Sequence, residues 1–294
     1  MTLDCELQLM KLSILTITLL LSSLAFGQSK PNSEEGCDTC GLEKHSHTTP
    51  YDFSFEKELP FIASGVGLVI GSEVIKHNDH TKPYTEEELQ NLDRNDINSF
   101  DRPTTYKYNT NAAVASDIIR TGVVILPALF LANHNTQKDI KGLALLTVEV
   151  VAINYGLTNG VKHLVNRTRP YVYNEEVDIN TRTNDQSRLS FFSGHTSHTA
   201  AVSFMFAKVI NDYHPEMLLK NKIGLWGIAS LIPATTAYLR VQSGNHFPTD
   251  VIAGYIVGAG VGWLVPHLHK TKSSIAIAPY SMKDAKGLSL FYSF

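Results

Sequence analysis

The chain has 294 residues, 43% of them hydrophobic and 18% charged, with 25 Lys+Arg against 28 Asp+Glu. A formal charge of -3 and a pI near 6.4 exclude a strongly basic nucleic-acid surface, and the apolar content excludes a disordered chain. The mean hydropathy of -0.06 is low for a polytopic membrane protein, so a packed core is required and its surroundings must be read segment by segment.

The segment from Lys11 to Gly27 has a basic start, an apolar run and small residues at Ala25 and Gly27. It reads as a secretory signal peptide over 1–27, cleaved after Gly27; Asp4 and Glu6 suit a signal's start badly, which makes Met10 an alternative initiator, and on either reading Cys5 is lost. A polar segment over 28–59 follows, with Cys37 and Cys40 two residues apart and His45 and His47 close behind. Outside the cytoplasm such a pair is read as a local disulfide or idle thiols; zinc binding and redox catalysis are the alternatives.

Apolar segments then recur at about 61–75, 117–133, 142–165, 198–210, 223–241 and 250–266, separated by the polar stretches 76–116 and 166–197 that pull the average down. They are too long for buried strands, and Ser116-Asp117, Asp139 and Thr249-Asp250 read as helix starts. A short surface helix is expected at Thr85–Glu88, whose ends have capping-box spacing. Gly254, Gly258 and Gly262 leave one smooth face on the last long helix for close approach of a neighbour. The segment 273–294 alternates like two short strands around Lys283–Gly287; its terminal Phe294 resembles the last strand of an outer-membrane barrel, but one hairpin closes no barrel. The expected fold is therefore all-α, a membrane-embedded bundle of about five to six core helices over 60–272 with a short C-terminal β-hairpin.

Three clusters sit where an apolar helix meets a polar loop: Lys162 to Arg169-Pro170, Phe192-Ser193-Gly194-His195, and Arg240 to His246 and Asp250. The inventory is that of an oxyanion site. Lys162, Arg169 and Arg240 supply three cations, and guanidinium forks match phosphate oxygens. Ser193 and Gly194 open a helix whose backbone N–H groups and dipole face the same anion. The two histidines can act as nucleophile and as acid, and Asp250 stands one helical turn after His246. Arg167 reads as an interface residue, His163, His198 and His214 as structural or surface groups, and Glu149, costly in an apolar helix, as pointing inward to a polar partner.

The three blocks, Lys-x6-Arg-Pro, Ser-Gly-His and Arg-x5-His-x3-Asp, resemble the signature of the type-2 phosphatidic acid phosphatase superfamily, which includes lipid phosphate phosphatases, bacterial acid phosphatases and vanadium haloperoxidases. The match covers 162–250, with Phe192 and Leu239 standing where the family usually has Pro and Ser. The resemblance implies that Lys162, Arg169, Ser193, Gly194 and Arg240 hold phosphate, that His246 attacks phosphorus, that Asp250 orients His246, and that His195 protonates the leaving group and later activates water. It implies no metal and no cofactor. The implied activity is a phosphatase acting on phosphomonoesters or pyrophosphates of lipids such as phosphatidic acid, isoprenyl pyrophosphate or lipid A, with a soluble acid phosphatase, a vanadate-dependent haloperoxidase and a non-enzymatic lipid-binding module as alternatives. The expected partners are a phosphorylated lipid and the membrane, not nucleic acid.

Segment 61–75, with Gly65, Gly67, Gly71 and Glu73, reads as too short to span, which leaves five spans. Counted from a cleaved leader, five spans place Lys138, Lys141, Lys220, Lys222, Lys270 and Lys272 inside and both catalytic loops outside, as the positive-inside tendency asks. The expected location is the bacterial inner membrane with the site facing the periplasm, the alternative being a soluble periplasmic protein.

Overall fold

The computed structural model describes residues 49–271 and the backbone of 275–282 and 285–292; the expected signal peptide and the Cys37–Cys40 segment lie outside the described residues. Helix α1 runs Phe55–Asn78, with Glu56 and Glu58 in its first turn and Lys76 and His77 in its last, each sign at the end of the helix dipole that favours it. A short α2, Glu86–Gln90, carries the expected capping box, with Thr85 and Glu88 exchanging side-chain and backbone hydrogen bonds. Helix α3, Thr110–Gly122, continues as a 3-10 stretch through Ala132. After the single turn α4, His134–Gln137, come α5, Ile140–Val165, and the short α6, Ile179–Arg182. Three long helices complete the bundle: α7, Gly194–Tyr213, α8, Leu219–Gln242, and α9, Pro248–Leu268. Beyond them Ile275–Met282 and Ala285–Tyr292 run as antiparallel strands β1 and β2, Ile275 opposite Tyr292.

Helix α7 is the centre. Ala200, Ala201, Val202, Met205, Ala207 and Val209 are buried along it, and the main core joins Met205 and Val209 to Leu143, Leu146 and Val150 of α5 and to Phe130. The glycine stripe of α9 lies on α7 as expected. A methyl on Gly254 would stand 2.5 Å from the Ser193 carbonyl oxygen, and methyls on Gly258 and Gly262 would overlap the Ser197 and Ala201 carbonyls. Helix α1 lies parallel to α5: Gly65 faces Ala152, Gly156 admits the backbone of Leu68, and Asn159 donates to Ser72 and Glu73 at 3.2 Å. The successive long helices α1, α3, α5, α7, α8 and α9 therefore alternate in direction, so that Val165, Gly194, Gln242 and Pro248 all lie at one end.

Two readings are corrected. Segment 61–75 is not short once folded, because its helix extends to 24 residues by adding polar turns at both ends. Among the described residues four stretches are long and apolar enough to cross a membrane, Phe55–Asn78, Thr110–Ala132, Ile140–Tyr173 and Pro248–Leu268; α1 is one of them, and α7 and α8 are not. Second, Ser116-Asp117 does not open a helix. The cap is Asn109, whose side chain accepts from the Ala112 N–H, so Asp117 lies inside α3 and faces the site. The outward faces of the spans remain apolar, with Val66 and Ile70 on α1, Ile118 and Ile125 on α3 and its extension, and Ile252 and Ile256 on α9 all exposed. A packed interior beneath an apolar exterior is what lipid surroundings require.

Candidate active site

The last turn of α5 presents Lys162, and the helix stops at Asn166, whose left-handed backbone (φ 48°) turns the chain outward. Arg169 follows and is 6% exposed: its backbone N–H donates to Ser187 O at 2.8 Å, its Nε to Gln186 O at 2.8 Å, and a terminal nitrogen to Asn245 Oδ1 at 3.1 Å. Ser193 caps α7, accepting from the Thr196 N–H, and its own N–H donates to the Asp250 carbonyl at 3.0 Å. Gly194 keeps this helix start open towards α5; a methyl there would meet Thr158 at 3.1 Å and Lys162 at 3.8 Å.

Arg240, in the last turn of α8, is buried. It donates to Ser116 Oγ at 3.2 Å and stands 3.6 Å from Asp117 Oδ1, while its Nε makes no hydrogen bond among the described residues. Asp117 also meets His195, Nε2 to Oδ1 at 2.6 Å, so one carboxylate joins the proposed acid to a proposed anchor.

His246 is wholly buried. Its Nδ1 lies 2.8 Å from the Ser190 carbonyl oxygen, which can only accept, so Nδ1 carries the proton and Nε2 keeps its lone pair. That Nε2 has no hydrogen-bond partner among the described residues. Burial, followed by the charges of Arg169, Arg240 and Lys162, holds the imidazole well below its ordinary range. The three cations named from the sequence thus converge on the field of this one ring. Asp250 stands farther from it, Oδ2 to Nδ1 at 3.8 Å. Its Oδ2 accepts from Ser190 Oγ at 2.5 Å and from the Phe247 N–H at 2.8 Å, and its Oδ1 accepts from Arg167.

Asp250 therefore grips Ser190, whose carbonyl in turn holds His246. Behind it Arg167 donates to Asp101 Oδ2 at 2.8 Å and stacks over Phe247, 4.3 Å from the ring centre. Asp101, fully buried, also accepts from the Thr249 N–H at 3.1 Å and its hydroxyl at 2.6 Å. Burial pushes the Asp101 carboxyl up, but hydrogen bonds from Thr249, Arg167 and Asn98 outweigh it and hold the group below its usual range. Asp101, Asp117, Ser190 and Arg167 were not among the expected site residues. The polar region 76–116, with Phe100–Pro103 in it, reads from sequence as a cover over the mouth of the site and not as part of its frame, and Ser190 acts mainly through a carbonyl that has no side-chain signature.

His163 pairs instead with Asp79, Nδ1 to Oδ2 at 2.8 Å, outside this cluster. Burial raises the Asp79 carboxyl, but bonds from Thr81, His163 and Asn166 bring it down to about 2. Glu149 is buried and meets His269 at 3.1 Å, which supplies the inward polar partner expected of it.

Residues 143–274 match the family model described as PAP2 superfamily. Undecaprenyl-diphosphatase of Sulfolobus acidocaldarius is 26% identical over 145 residues, 49% of this chain and 62% of that protein. Decaprenylphosphoryl-5-phosphoribose phosphatase of Mycobacterium tuberculosis is 27% identical over 143 residues, covering 49% and 67%. Phosphatidylglycerophosphatase B of Bacillus subtilis is 35% identical over 80 residues, covering 27% and 39%. The crystal structure of a transmembrane PAP2 type phosphatidylglycerolphosphate phosphatase from Bacillus subtilis aligns with TM-score 0.43 and 24% identity over 69% of this chain and 94% of that one.

Proposed function

We propose that this chain, whose residues 143–274 belong to the PAP2 superfamily, is a membrane phosphatase that removes a terminal phosphate from a phosphorylated lipid without a metal at the phosphate site. The observation that carries the reading is His246: a buried imidazole with its proton fixed on Ser190 O, an unpartnered Nε2, and three cations around it.

In this mechanism Lys162, Arg169, Arg240 and the N–H groups that open α7 bind the phosphate oxygens. His246 Nε2 attacks phosphorus, the bond to the leaving oxygen breaks, and His195 gives that oxygen its proton. A phosphohistidine results. His195, now neutral, takes a proton from water; the water oxygen displaces His246 from phosphorus, and phosphate departs. Fixed cations neutralise the charge that develops on the equatorial oxygens. Asp250 acts through Ser190 and Phe247 by fixing the ring's place, and Asp117 orients His195.

The names of the relatives favour a polyprenyl or glycerol lipid as the carrier of the phosphate. The apolar outer faces of the four spans support an enzyme held in the bilayer, and we place the site on the periplasmic side of a bacterial inner membrane. Lys138, Lys141, Lys220, Lys222 and Lys270 belong to the opposite ends of α5, α8 and α9, which supports that orientation.

The test is phosphate release from polyprenyl and glycerol lipid phosphates in detergent. His246→Ala should reduce kcat by at least about 10³-fold and abolish acid-labile phosphoenzyme, since removing a nucleophile collapses the whole catalytic unit. A phosphoenzyme that survives in His246→Ala would overturn the mechanism.

A further inference from the structure

At the end of the bundle away from the phosphate site, three buried side chains from three helices converge. Glu58 of α1 is 3% exposed, Glu149 of α5 is 2% exposed, and His269, just past α9, is 0% exposed. His269 Nε2 stands 3.1 Å from Glu149 Oε2 and 3.5 Å from Glu58 Oε1, and the three ligand atoms all lie within 4.8 Å of one another. Glu149 precedes Lys162 on the same helix by thirteen residues, which at about 1.5 Å per residue separates this cluster from the phosphate site by about 20 Å.

The hydrogen bonding of the trio is incomplete. His269 Nε2 is within ion-pair reach of both carboxylates, but among the described residues none of these contacts has hydrogen-bond geometry: both oxygens of Glu58, both oxygens of Glu149 and His269 Nε2 are buried without a hydrogen bond. An imidazolium cannot complete it alone. Its Nδ1 lies 2.7 Å from the Val265 carbonyl, which takes that proton, so a single proton at Nε2 would remain for two carboxylates. The lysines beside the trio in sequence are engaged elsewhere: Lys57 donates to Lys270 O at 2.7 Å, and Lys270 to Asp212 at 3.0 Å. With both carboxylates ionised the trio keeps a net negative charge, which an apolar interior tolerates only if a carboxyl takes up a proton or a cation binds.

We propose that Glu58, Glu149 and His269 form a binding site for one divalent transition-metal ion, zinc being the cation their chemistry suits. Two carboxylates neutralise its charge, and neutral imidazole supplies Nε2. With bonds of about 2.0–2.1 Å, tetrahedral ligand atoms stand about 3.3 Å apart, between the two distances found here. The Nδ1–H bond to Val265 O is the outer contact that metal-bound histidines characteristically make, and it leaves Nε2 turned inward. Phe61 lies over the ring, centroids 4.1 Å apart, and fixes its plane. The ion would tie α1, α5 and α9 together at the end of the bundle where no catalytic residue lies.

The test uses the full chain in detergent, in a Cys37→Ser/Cys40→Ser background so that those thiols take no zinc. After stripping with a chelator and back-titration with Zn²⁺, metal analysis should give one equivalent per chain and the melting temperature should rise. Glu149→Gln and His269→Gln should each retain less than a tenth of an equivalent and lose the thermal shift. Because His269→Gln can impair folding, the unmodified trio is also loaded with Co²⁺, and visible absorption bands of a nitrogen–oxygen site are expected. Absence of stoichiometric zinc and of any Co²⁺ spectrum in the chain with the intact trio would overturn the proposal, whether or not the chain releases phosphate. Binding retained in both variants would overturn it equally.

Discussion

At the scale of single residues, Asp101 decides how firmly the site is built. It accepts from Arg167, both donors of Thr249 and Asn98, and through Arg167 it is tied to Asp250. Asp101→Asn keeps the shape but removes the charge and turns one acceptor into a donor, so a loss of about 1–3 kcal/mol is expected, in line with leaving buried donors unmatched. The sign with pH follows from the depressed carboxyl. An unfolded aspartate titrates near 3.9, so the stabilisation is complete above that value and is lost as pH falls through the lower folded value. Melting in detergent should show a constant gap between the parent and Asp101→Asn from pH 7 to 5 that closes below about pH 4. A gap that closes near neutrality would implicate a histidine instead. Of this network only Asp250 was legible in the sequence. The three blocks were, because each packs several functional groups into a few residues, whereas Asp101, Ser190 and Asp117 reach the site only through tertiary contact.

At the scale of elements, the approach of α9 to α7 sets where Ser193 and His195 stand. Two glycines of α9 make a paired test. Gly260 has no atom of the described residues within 4 Å of a would-be methyl, so Gly260→Ala should stabilise by up to about 1 kcal/mol through helix propensity alone. Gly258 gains the same propensity, but its methyl would overlap the Ser197 carbonyl, and overpacking against backbone costs about 1–3 kcal/mol. Thermal melts should therefore move in opposite directions, Gly260→Ala up and Gly258→Ala down. Equal shifts would mean that the helices separate freely. The stripe was legible because small residues at every fourth position have few other uses. The start of α3 was not, since Asn109 caps it from within a polar stretch and Ser116-Asp117 imitates a cap.

At the scale of the whole molecule, the alternation of the long helices and the crowding of lysines at one end both bear on orientation. Helix α1 is long enough to span and lies parallel to α5, so its Phe55 end sits with the lysines and its Asn78 end with the site. Counting spans from a leader cleaved after Gly27 would therefore put the lysines outside, while the positive-inside tendency puts them in the cytoplasm; the two arguments oppose each other. The lysine argument rests on five charges close to helix ends, whereas the site-side loops carry Lys82, Arg94, Arg102, Lys107, Arg167, Arg169, Arg182 and Arg188. The charge count therefore takes no precedence over the leader, and the two sides are separated by labelling. Single cysteines in a background without Cys5, Cys37 and Cys40 decide the matter. Glu175→Cys, exposed in the loop beside the site, should react with a membrane-impermeant maleimide in intact cells, and Lys220→Cys, exposed at the start of α8, only after the membrane is breached. The reverse pattern would place the phosphate site in the cytoplasm, and the substrate would then be a lipid phosphate presented on the inner leaflet.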